Sequence, residues 1–537
     1  MTDGRPPAIL GDWWRPGAIY QIYPRSFQDS GGDGIGDLEG IRRRLDYLVG
    51  LGVDAIWISP FYPSPMHDFG YDVSNYCDVD PIFGSLRDFD LLLADAHRSG
   101  LKIVLDFVPN HTSIEHEWFA ASRQRRDDKS DWYIWRDGAP SGGPPNNWRS
   151  HFGGPAWSFD SARGQYYYHA FLPQQPDLNW RNPKVKAAMF DVLRFWLRRG
   201  VDGFRVDVIS QLMKDEALRD NPANPGWTPL RPQIEELLQL YSGDQDDIHP
   251  LIAEMRGVLA EFGDPLLIGE IYLPMERLVA YYGAALSGAH LPFNFQLLET
   301  PWQAESLGAM IASYEALLPE GAWPNWVLSN HDRPRVATRV GDAQARVATM
   351  LLLTLRGTPT LYYGDELGIG HVDISPPRIR DPWALREPSL AVGRDPVRTP
   401  MQWDDSANAG FSTHEPWLPL TPDWPERNVE RFEAEPASLL HLTRRLLHYR
   451  RDHRTLSLGS WRLLASSNEL LAYERRSGQE TTIVVLNLGG ASQLWRLDPA
   501  GSSFCVAIST YCDRAGERVD QVLRLRPDEG VVLAVLG

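Results

Sequence analysis

Short apolar runs alternate with amphipathic segments along the first half of the chain. The apolar runs Ala18–Tyr23, Ala55–Ser59 and Lys102–Val108 predict strands, because they are rich in β-branched and aromatic residues. Between them, Leu38–Gly50 and Leu86–Ser99 carry apolar residues at helical spacing, and a glycine closes each segment. Strands and helices in this alternation predict parallel βαβ units.

Five further apolar runs raise the number of candidate strands to eight, which is the number that closes a β/α barrel. They are Val201–Val208, Leu266–Tyr272, Leu291–Phe295, Trp326–Asn330 and Thr360–Tyr363, and a helix is predicted over Val185–Arg198. The alternation stops over residues 109–176, which are rich in Trp, Tyr, Gly, Pro and Asn. A stretch this long between two barrel strands predicts a small inserted domain.

After about Leu456 the pattern changes to strands without helices. Candidate strands are Glu469–Glu474, Thr482–Leu486, Leu523–Arg526 and Gly530–Val535, which predict a C-terminal antiparallel domain. The predicted fold is therefore α/β: a (β/α)₈ TIM barrel with an inserted small domain after strand 3 and a C-terminal antiparallel β domain. The predicted boundaries are 1–108 and 177–456 for the barrel, 109–176 for the inserted domain B and 457–537 for the C-terminal domain.

Composition narrows the classes of partner. The 537 residues carry a net charge of −17 with no basic stripe, which argues against nucleic acid and leaves a neutral sugar as a compatible ligand. The three cysteines, Cys77, Cys505 and Cys512, do not form a disulfide framework. No apolar run is long enough for a membrane span, and no signal pattern is present, so we expect a cytoplasmic monomer or small homo-oligomer.

Three carboxylates follow apolar strand cores and carry the case for chemistry. Asp207, Glu270 and Asp332 end strands four, five and seven, whose C-terminal ends meet on one face of a barrel. The alternative is a structural role, in which the three carboxylates form salt bridges that stabilise the rim of the barrel. Two carboxylates facing one bond suit glycoside hydrolysis. Arg205 shares a strand face with Asp207 and is expected to keep it ionised, whereas the apolar setting of Glu270 favours a raised pKa.

Four segments carry a family resemblance: DFVPNH (106–111), GFRVDV (203–208), GE (269–270) and SNHD (329–332). In this order they resemble the α-amylase superfamily (glycoside hydrolase family 13), most closely its α-glucosidase and oligo-1,6-glucosidase branch. The resemblance implies a retaining enzyme with Asp207 as nucleophile, Glu270 as general acid/base and Asp332 as a carboxylate that holds sugar hydroxyls. It also implies substrate-binding roles, in the subsite that holds the glucose, for His111, Arg205 and His331. The segment QPDLN (175–179) matches a further family motif.

Two features of the resemblance imply an exo-acting pocket rather than an open cleft. The segment DFGYD (68–72) resembles the α-glucosidase pocket motif, in which Asp68 grips the terminal hydroxyls and Tyr71 stacks on the sugar ring. Arg398 resembles the arginine that pairs with this aspartate and closes the pocket. Phe152 and Trp403 are candidates for the ring beyond the glucose, with core packing as the alternative for each.

The resemblance leaves the reaction partly open. Val208 stands where related enzymes carry Val for α-1,6 cleavage and Ala or Thr for α-1,4 cleavage, although simple strand packing also explains a valine there. A sucrose- or trehalose-type isomerase or a glucosyltransferase would use the same site. A non-catalytic carbohydrate-binding scaffold is the remote alternative, which the three retained carboxylates disfavour.

The segment 29–37 resembles a Ca²⁺-type loop of the family. Asp29, Asp33, Ile35 and Asp37 are the implied ligands of a structural Ca²⁺ or Mg²⁺ ion, because carboxylates at alternate positions suit a hard cation. Gly31 stands where related sequences often carry Asn, which removes one ligand. A solvated acidic turn is the alternative. No cofactor is expected for catalysis, and the expected partner is a small oligosaccharide or glucoside.

Overall fold

A computed structural model describes residues 12–390, 392–467, 469–497 and 503–535. Its centre is a sheet of eight parallel strands, numbered in chain order: β1 Ile19–Ile22, β2 Ala55–Ile58, β3 Lys102–Phe107, β4 Gly203–Val206, β5 Leu266–Ile271, β6 Leu291–Asn294, β7 Asn325–Val327 and β8 Thr358–Tyr362. They lie in the order β7–β8–β1–β2–β3–β4–β5–β6 and form a nearly closed barrel. The predicted TIM barrel is confirmed.

Nearly every residue of the barrel strands is buried, because helices cover the outside and side chains fill the inside. The α-helices are Pro24–Phe27, Leu38–Arg43, Leu45–Leu51, Leu86–Arg98, Glu117–Arg123, Pro183–Arg199, Ile248–Ala260, Met275–Leu278, Gln296–Glu299, Ala304–Leu317, Val336–Val340, Asp342–Thr354, Pro382–Arg386, Val429–Ala434, Leu439–Asp452 and Arg454–Ser457. In the part of the chain that the structure describes, none of these helices has both the length and the apolar character that crossing a bilayer requires.

The single helix predicted over residues 38–50 is instead two helices. They meet at Arg44, whose backbone leaves the helical region with φ −103° and ψ 9°. The break lets the second helix, Leu45–Leu51, bury Leu45, Leu48 and Leu51. Apolar spacing stays in phase across such a break, so the sequence pattern did not reveal it.

The aromatic stretch after β3 forms a small unit of its own. Its strands Trp135–Arg136, Gln165–Tyr168 and Trp157–Asp160 pair antiparallel in that order. Trp148, Trp157 and Tyr168 pack in a separate core cluster. Many of the aromatic rings of this segment therefore serve as its core. The antiparallel sheet lies within the predicted insertion, and the exact boundaries 109 and 176 stay a prediction.

The C-terminal region is antiparallel, as predicted. Its strands are Ser460–Ser467, Leu470–Ser477, Glu480–Asn487, Gln493–Arg496, Phe504–Ser509, Arg518–Val519, Val522–Leu525 and Gly530–Val535, arranged as one sheet of six strands and one of two. The pattern missed four of these strands: Ser460–Ser467, Gln493–Arg496, Phe504–Ser509 and Arg518–Val519. Ser460–Ser467 and Gln493–Arg496 contain no fully buried residue, so their apolar pattern is weak.

A second irregular excursion follows β4. Between Asp207 and the helix that begins at Ile248, the chain forms only the short 3₁₀ turns Ile209–Gln211 and Gln233–Glu236. Gln233 N–H donates to Glu387 Oε1 over 2.9 Å, so this excursion is tied to the segment after helix Pro382–Arg386. Both segments rise above the C-terminal ends of the barrel strands and surround the site described next.

Candidate active site

The C-terminal ends of the barrel strands open into a pocket of about 350 Å³. Asp207 directly follows β4, Glu270 is the next-to-last residue of β5, and Asp332 follows β7. All three line the pocket, together with Asp68, Tyr71, His111 and Phe152. The tertiary structure therefore brings together the three carboxylates that are far apart along the chain.

Arg205 is the hub that joins the carboxylates of β3, β4 and β5. Its Nη1 donates to Asp207 Oδ1 over 2.7 Å and to Asp106 Oδ1 over 2.8 Å. Its Nη2 lies 2.7 Å from Glu270 Oε1, but this nitrogen has no well-aligned hydrogen bond. Because Asp207 and Glu270 contact neighbouring nitrogens of one guanidinium, their carboxyl groups face each other across a short gap.

Burial dominates the protonation of this cluster. It raises the pKa of Asp207 well above the usual range, although Arg205 lowers it, and Glu270 and Asp106 raise it further. Burial likewise raises the pKa of Glu270, and it raises the pKa of Asp106 to about 6. The expectation that Arg205 alone would keep Asp207 ionised is therefore too simple, because three carboxyl groups share one guanidinium charge.

The residue after the proposed nucleophile has an unusual backbone. Val208 adopts φ +37° and ψ 47°, a left-handed conformation that a β-branched residue rarely adopts. This turn points the Val208 N–H at Glu270 Oε2, with a distance of 2.8 Å. Val208 also lines the pocket rather than packing inside a strand. Its bearing on linkage stays a prediction.

Asp332 is held by Arg398 and His331. Arg398 Nη2 donates to Asp332 Oδ1 over 2.8 Å, and His331 Nε2 lies 3.1 Å from Asp332 Oδ2. Burial raises the pKa of Asp332, but His331, Arg398 and Arg394 together lower it below the usual range. Asp332 is therefore the carboxylate of the site that stays ionised most firmly.

Tyr71 and His331 form a stacked pair beside Asp106. Their rings are 5.4 Å apart and nearly parallel at 4°, and the Tyr71 hydroxyl lies 2.6 Å from His331 Nε2 and 3.1 Å from Asp106 Oδ2. Gln21 Nε2 lies 2.7 Å from His331 Nδ1. Burial lowers the pKa of His331 well below its usual value, so its imidazole is neutral. The ring forms hydrogen bonds with Gln21 on one side and Tyr71 on the other.

The arginine that pairs with Asp68 is Arg394, which corrects the expectation for Arg398. Arg394 Nη2 donates to Asp68 Oδ1 over 2.6 Å and to Asp381 Oδ1 over 2.7 Å. Arg398 does not reach Asp68, because its Nε donates to the His331 carbonyl and its Nη2 is bound to Asp332. Both arginines lie in the segment GRDPVR (393–398), and the sequence offered no means to choose between them.

His111 and Phe152 complete the wall on the side of the insertion. Gln175 Nε2 donates to Asp68 Oδ2 over 3.2 Å and lies 3.1 Å from His111 Nε2, so the QPDLN segment reaches the site. Burial lowers the pKa of His111 to about 4, which leaves it neutral. The guanidinium of Arg394 lies 4.8 Å above the Phe152 ring. Trp403 lies in the core instead, where its Nε1 donates to the Phe27 carbonyl.

Other pocket-lining residues were not singled out from the sequence. Tyr272, Arg333 and Trp383 line the mouth, and the excursion after β4 adds Ser210 and Glu235. Tyr272 carried a signal, because it lies two residues after Glu270 and therefore points to the same side. The others lie in loops without periodicity, where sequence patterns do not indicate direction.

The loop 29–37 is closed by its own hydrogen bonds. Asp29 accepts the backbone N–H groups of Gly31, Gly32 and Gly34 over 2.7–2.8 Å, and also the Ser412 hydroxyl. These donors occupy the acceptor positions of its carboxylate, which does not fit a cation ligand as placed. Among the described residues no group of three or more His, Cys, Asp or Glu side chains is arranged to hold a metal ion. Metal binding by Asp29, Asp33, Ile35 and Asp37 stays a prediction.

Comparison with known proteins agrees with this geometry. The family described as "Alpha amylase, catalytic domain" matches residues 21–459, and this chain belongs to that family of glycoside hydrolases, in the branch of α-glucosidases and oligo-1,6-glucosidases.

Two relatives and one solved structure illustrate the likeness. The chain is 43% identical over 497 residues, 89% of each chain, to the "Probable alpha-glucosidase" of Rhizobium meliloti (strain 1021). It is 36% identical to the oligo-1,6-glucosidase of Parageobacillus thermoglucosidasius, covering 97% of this chain and 99% of the relative. The crystal structure of the α-glucosyl transfer enzyme XgtA superposes with a TM-score of 0.91 at 40% identity, covering 98% and 99% of the two chains.

Proposed function

We propose that the protein is a retaining, exo-acting α-glucosidase that releases terminal, non-reducing α-linked glucose from short oligosaccharides. The observation that carries the proposal is the shared contact of Asp207 and Glu270 with one guanidinium, 2.7 Å from each. The two carboxyl groups are also close enough to interact with each other by a hydrogen bond. This proximity suits a retaining mechanism, because an inverting enzyme separates the groups by about 6.5–9.5 Å to admit a water molecule.

The reaction has two displacement steps. In the first, Asp207 attacks the anomeric carbon while Glu270 gives its proton to the leaving oxygen, so the glycosidic bond breaks and a glucosyl ester forms. In the second, Glu270 removes a proton from water, whose oxygen attacks the same carbon and releases glucose and Asp207. If a sugar replaces water in this step, the product is a new glucoside.

Glu270 is the carboxyl group that holds the proton before the first step. Asp207 accepts an aligned, charge-assisted hydrogen bond from Arg205 Nη1, whereas Glu270 faces Nη2 without alignment. Charge-assisted hydrogen bonds favour the ionised form of their acceptor. Burial raises the pKa of both groups, so the pair shares a proton, and the proposed reaction requires that proton on Glu270 when the glucoside is bound.

The ion pair between Asp68 and Arg394 supports exo action. It closes the pocket next to Asp332, and Arg394 is anchored on its other side by Asp381. A chain that continued beyond the terminal glucose would collide with this buried pair. Asp332, held ionised by Arg398, is placed to accept hydroxyl groups of the enclosed glucose.

The test is a substrate panel of maltose, isomaltose, sucrose and trehalose, followed by proton NMR of the first-formed sugar. We expect glucose to appear first as the α-anomer, because two inversions retain configuration. First-formed β-glucose would overturn the retaining mechanism. Predominant formation of new disaccharides would identify a transferase or isomerase instead, and the rates on maltose and isomaltose would settle the linkage that Val208 leaves open. The cytoplasmic location and the oligomeric state stay predictions from the sequence.

A further inference from the structure

The mouth of the pocket holds a positively charged side chain that the reaction does not use. The guanidinium of Arg333, the residue after Asp332, lines the pocket and lies 4.5 Å above the ring of Tyr272. The Tyr272 ring also stacks on Phe295, with the ring centroids 4.1 Å apart and an angle of 6° between the ring planes. The stack of three groups holds the arginine at a fixed place at the rim.

Arg333 differs from the other charged side chains of the pocket in its lack of an ion-pair partner. Each of the others has a counter-ion within 4 Å: Asp68 with Arg394, Asp207 and Glu270 with Arg205, Asp332 with Arg398, Asp244 with Arg277, and Glu235 with Arg231. Within the described ranges, no carboxylate lies at ion-pair distance from Arg333, and contact with an aromatic ring does not neutralise its charge.

The position of Arg333 is on the aglycone side of the scissile bond. This step rests on the proposed function, in which Glu270 protonates the oxygen of the leaving group. Tyr272 lies two residues beyond Glu270 in the direction of β5, so it is on the same side and nearer to the mouth. A group that leaves over Glu270 therefore passes Tyr272 and the guanidinium above it.

We propose that Arg333 makes the aglycone end of the pocket selective for glucosides whose aglycone carries a carboxylate or phosphate group. The planar guanidinium presents two parallel N–H donors that match the oxygen atoms of either anion. Glu299 and Asp332 raise the pKa of Arg333 from a distance, but within the described residues neither forms an ion pair with it. A neutral sugar therefore leaves the guanidinium without a direct partner, whereas an anion supplies one. The glucose end does not change, so the same enzyme hydrolyses neutral glucosides and prefers anionic ones.

The test compares benzyl α-glucoside with 4-carboxybenzyl α-glucoside, which differ only in one carboxylate on the aglycone. The measured quantity is the ratio of kcat/KM for the anionic substrate to kcat/KM for the neutral substrate. We expect Arg333→Gln to lower this ratio by roughly 10-fold or more, in line with the loss of a hydrogen bond between charged groups. Turnover of the neutral substrate should change less than about 3-fold, because its aglycone has no charge with which to bind Arg333.

The matched control is Arg149→Gln, which removes an arginine that is paired with Glu236, and neither of these two side chains lines the pocket. This variant should leave the ratio unchanged. Added salt should lower the ratio in the wild type but not in Arg333→Gln, because salt screens an exposed charge.

The outcomes separate this proposal from the proposed function. If the wild type hydrolyses neither glucoside, the α-glucosidase assignment fails. If it hydrolyses both and Arg333→Gln leaves the ratio unchanged, or lowers both values equally, the selectivity proposal is overturned and Arg333 has only a structural role.

Discussion

The two ends of the pocket are built on different principles. At the glucose end, charged groups come from strand ends and adjoining segments, are buried, and are paired; Asp68 with Arg394 and Asp332 with Arg398 are examples. At the aglycone end, the wall comes from loops such as the excursion after β4, and Arg333 is unpaired within the described residues. Buried groups that are held by ion pairs fit a ligand of one shape. In a wall built from loops, a few side chains determine which leaving groups are accepted.

The largest effect is expected from a substitution of Asp207, which lies at the boundary between the two ends. We expect Asp207→Ala to lower kcat/KM for every glucoside by at least about 10⁴-fold, because no covalent intermediate can form. Circular dichroism and the Tm should remain close to the wild type, since removing a repelled carboxylate from a crowded cluster does not cost stability. Activity within about 100-fold of the wild type would mean that another group is the nucleophile.

A second variant at the boundary tests the pH dependence. Glu270 acts in its protonated form, and burial raises its pKa, so wild-type kcat/KM should fall as the pH rises through that raised value. Glu270→Gln cannot titrate, so this basic limb should disappear while the rate falls by about 10³-fold for sugar leaving groups. A basic limb that persists in the variant would assign the general acid to a different residue.

A change at the glucose end should affect all substrates alike. Asp68→Asn keeps the shape but removes the charge that binds Arg394, and we expect roughly 100-fold lower kcat/KM, as for a lost charge-assisted contact to a hydroxyl. The loss should be equal for the neutral and the anionic benzyl glucosides, in contrast to Arg333→Gln. Unequal losses would show that the two ends are not independent.

The smallest effect is expected from Arg398→Gln, which acts through Asp332. Arg398 is one of the groups that lower the pKa of this carboxylate against the effect of burial. Without Arg398 the pKa of Asp332 rises and a hydrogen bond that positions its carboxylate is lost, so we expect kcat/KM to fall by roughly 10-fold at neutral pH. The acid limb should not move, because Asp207 has the higher pKa of the two carboxyl groups and sets that limb. A loss below about 2-fold, in a variant with normal Tm, would contradict this role.

Most of the fold was predictable, because the apolar pattern of neighbouring residues indicates where strands and helices form. Apolar runs placed all eight barrel strands, and the proposed catalytic residues Asp207 and Glu270 followed from their position at strand ends. The break between the two helices at residues 38–51 was missed, because periodicity does not report such a break. Four C-terminal strands, which include Ser460–Ser467, were missed as well, because short or half-buried strands give a weak apolar pattern.

The amino-acid sequence determined the barrel, the three carboxylates and the glycoside hydrolase family, since periodicity and short motifs are properties of neighbouring residues. Tertiary structure decided which arginine pairs with Asp68, the common hub at Arg205, and the unpaired Arg333 at the mouth. The reason is that ion pairing depends on distances of a few ångströms between loops far apart along the chain, and no local pattern encodes those distances.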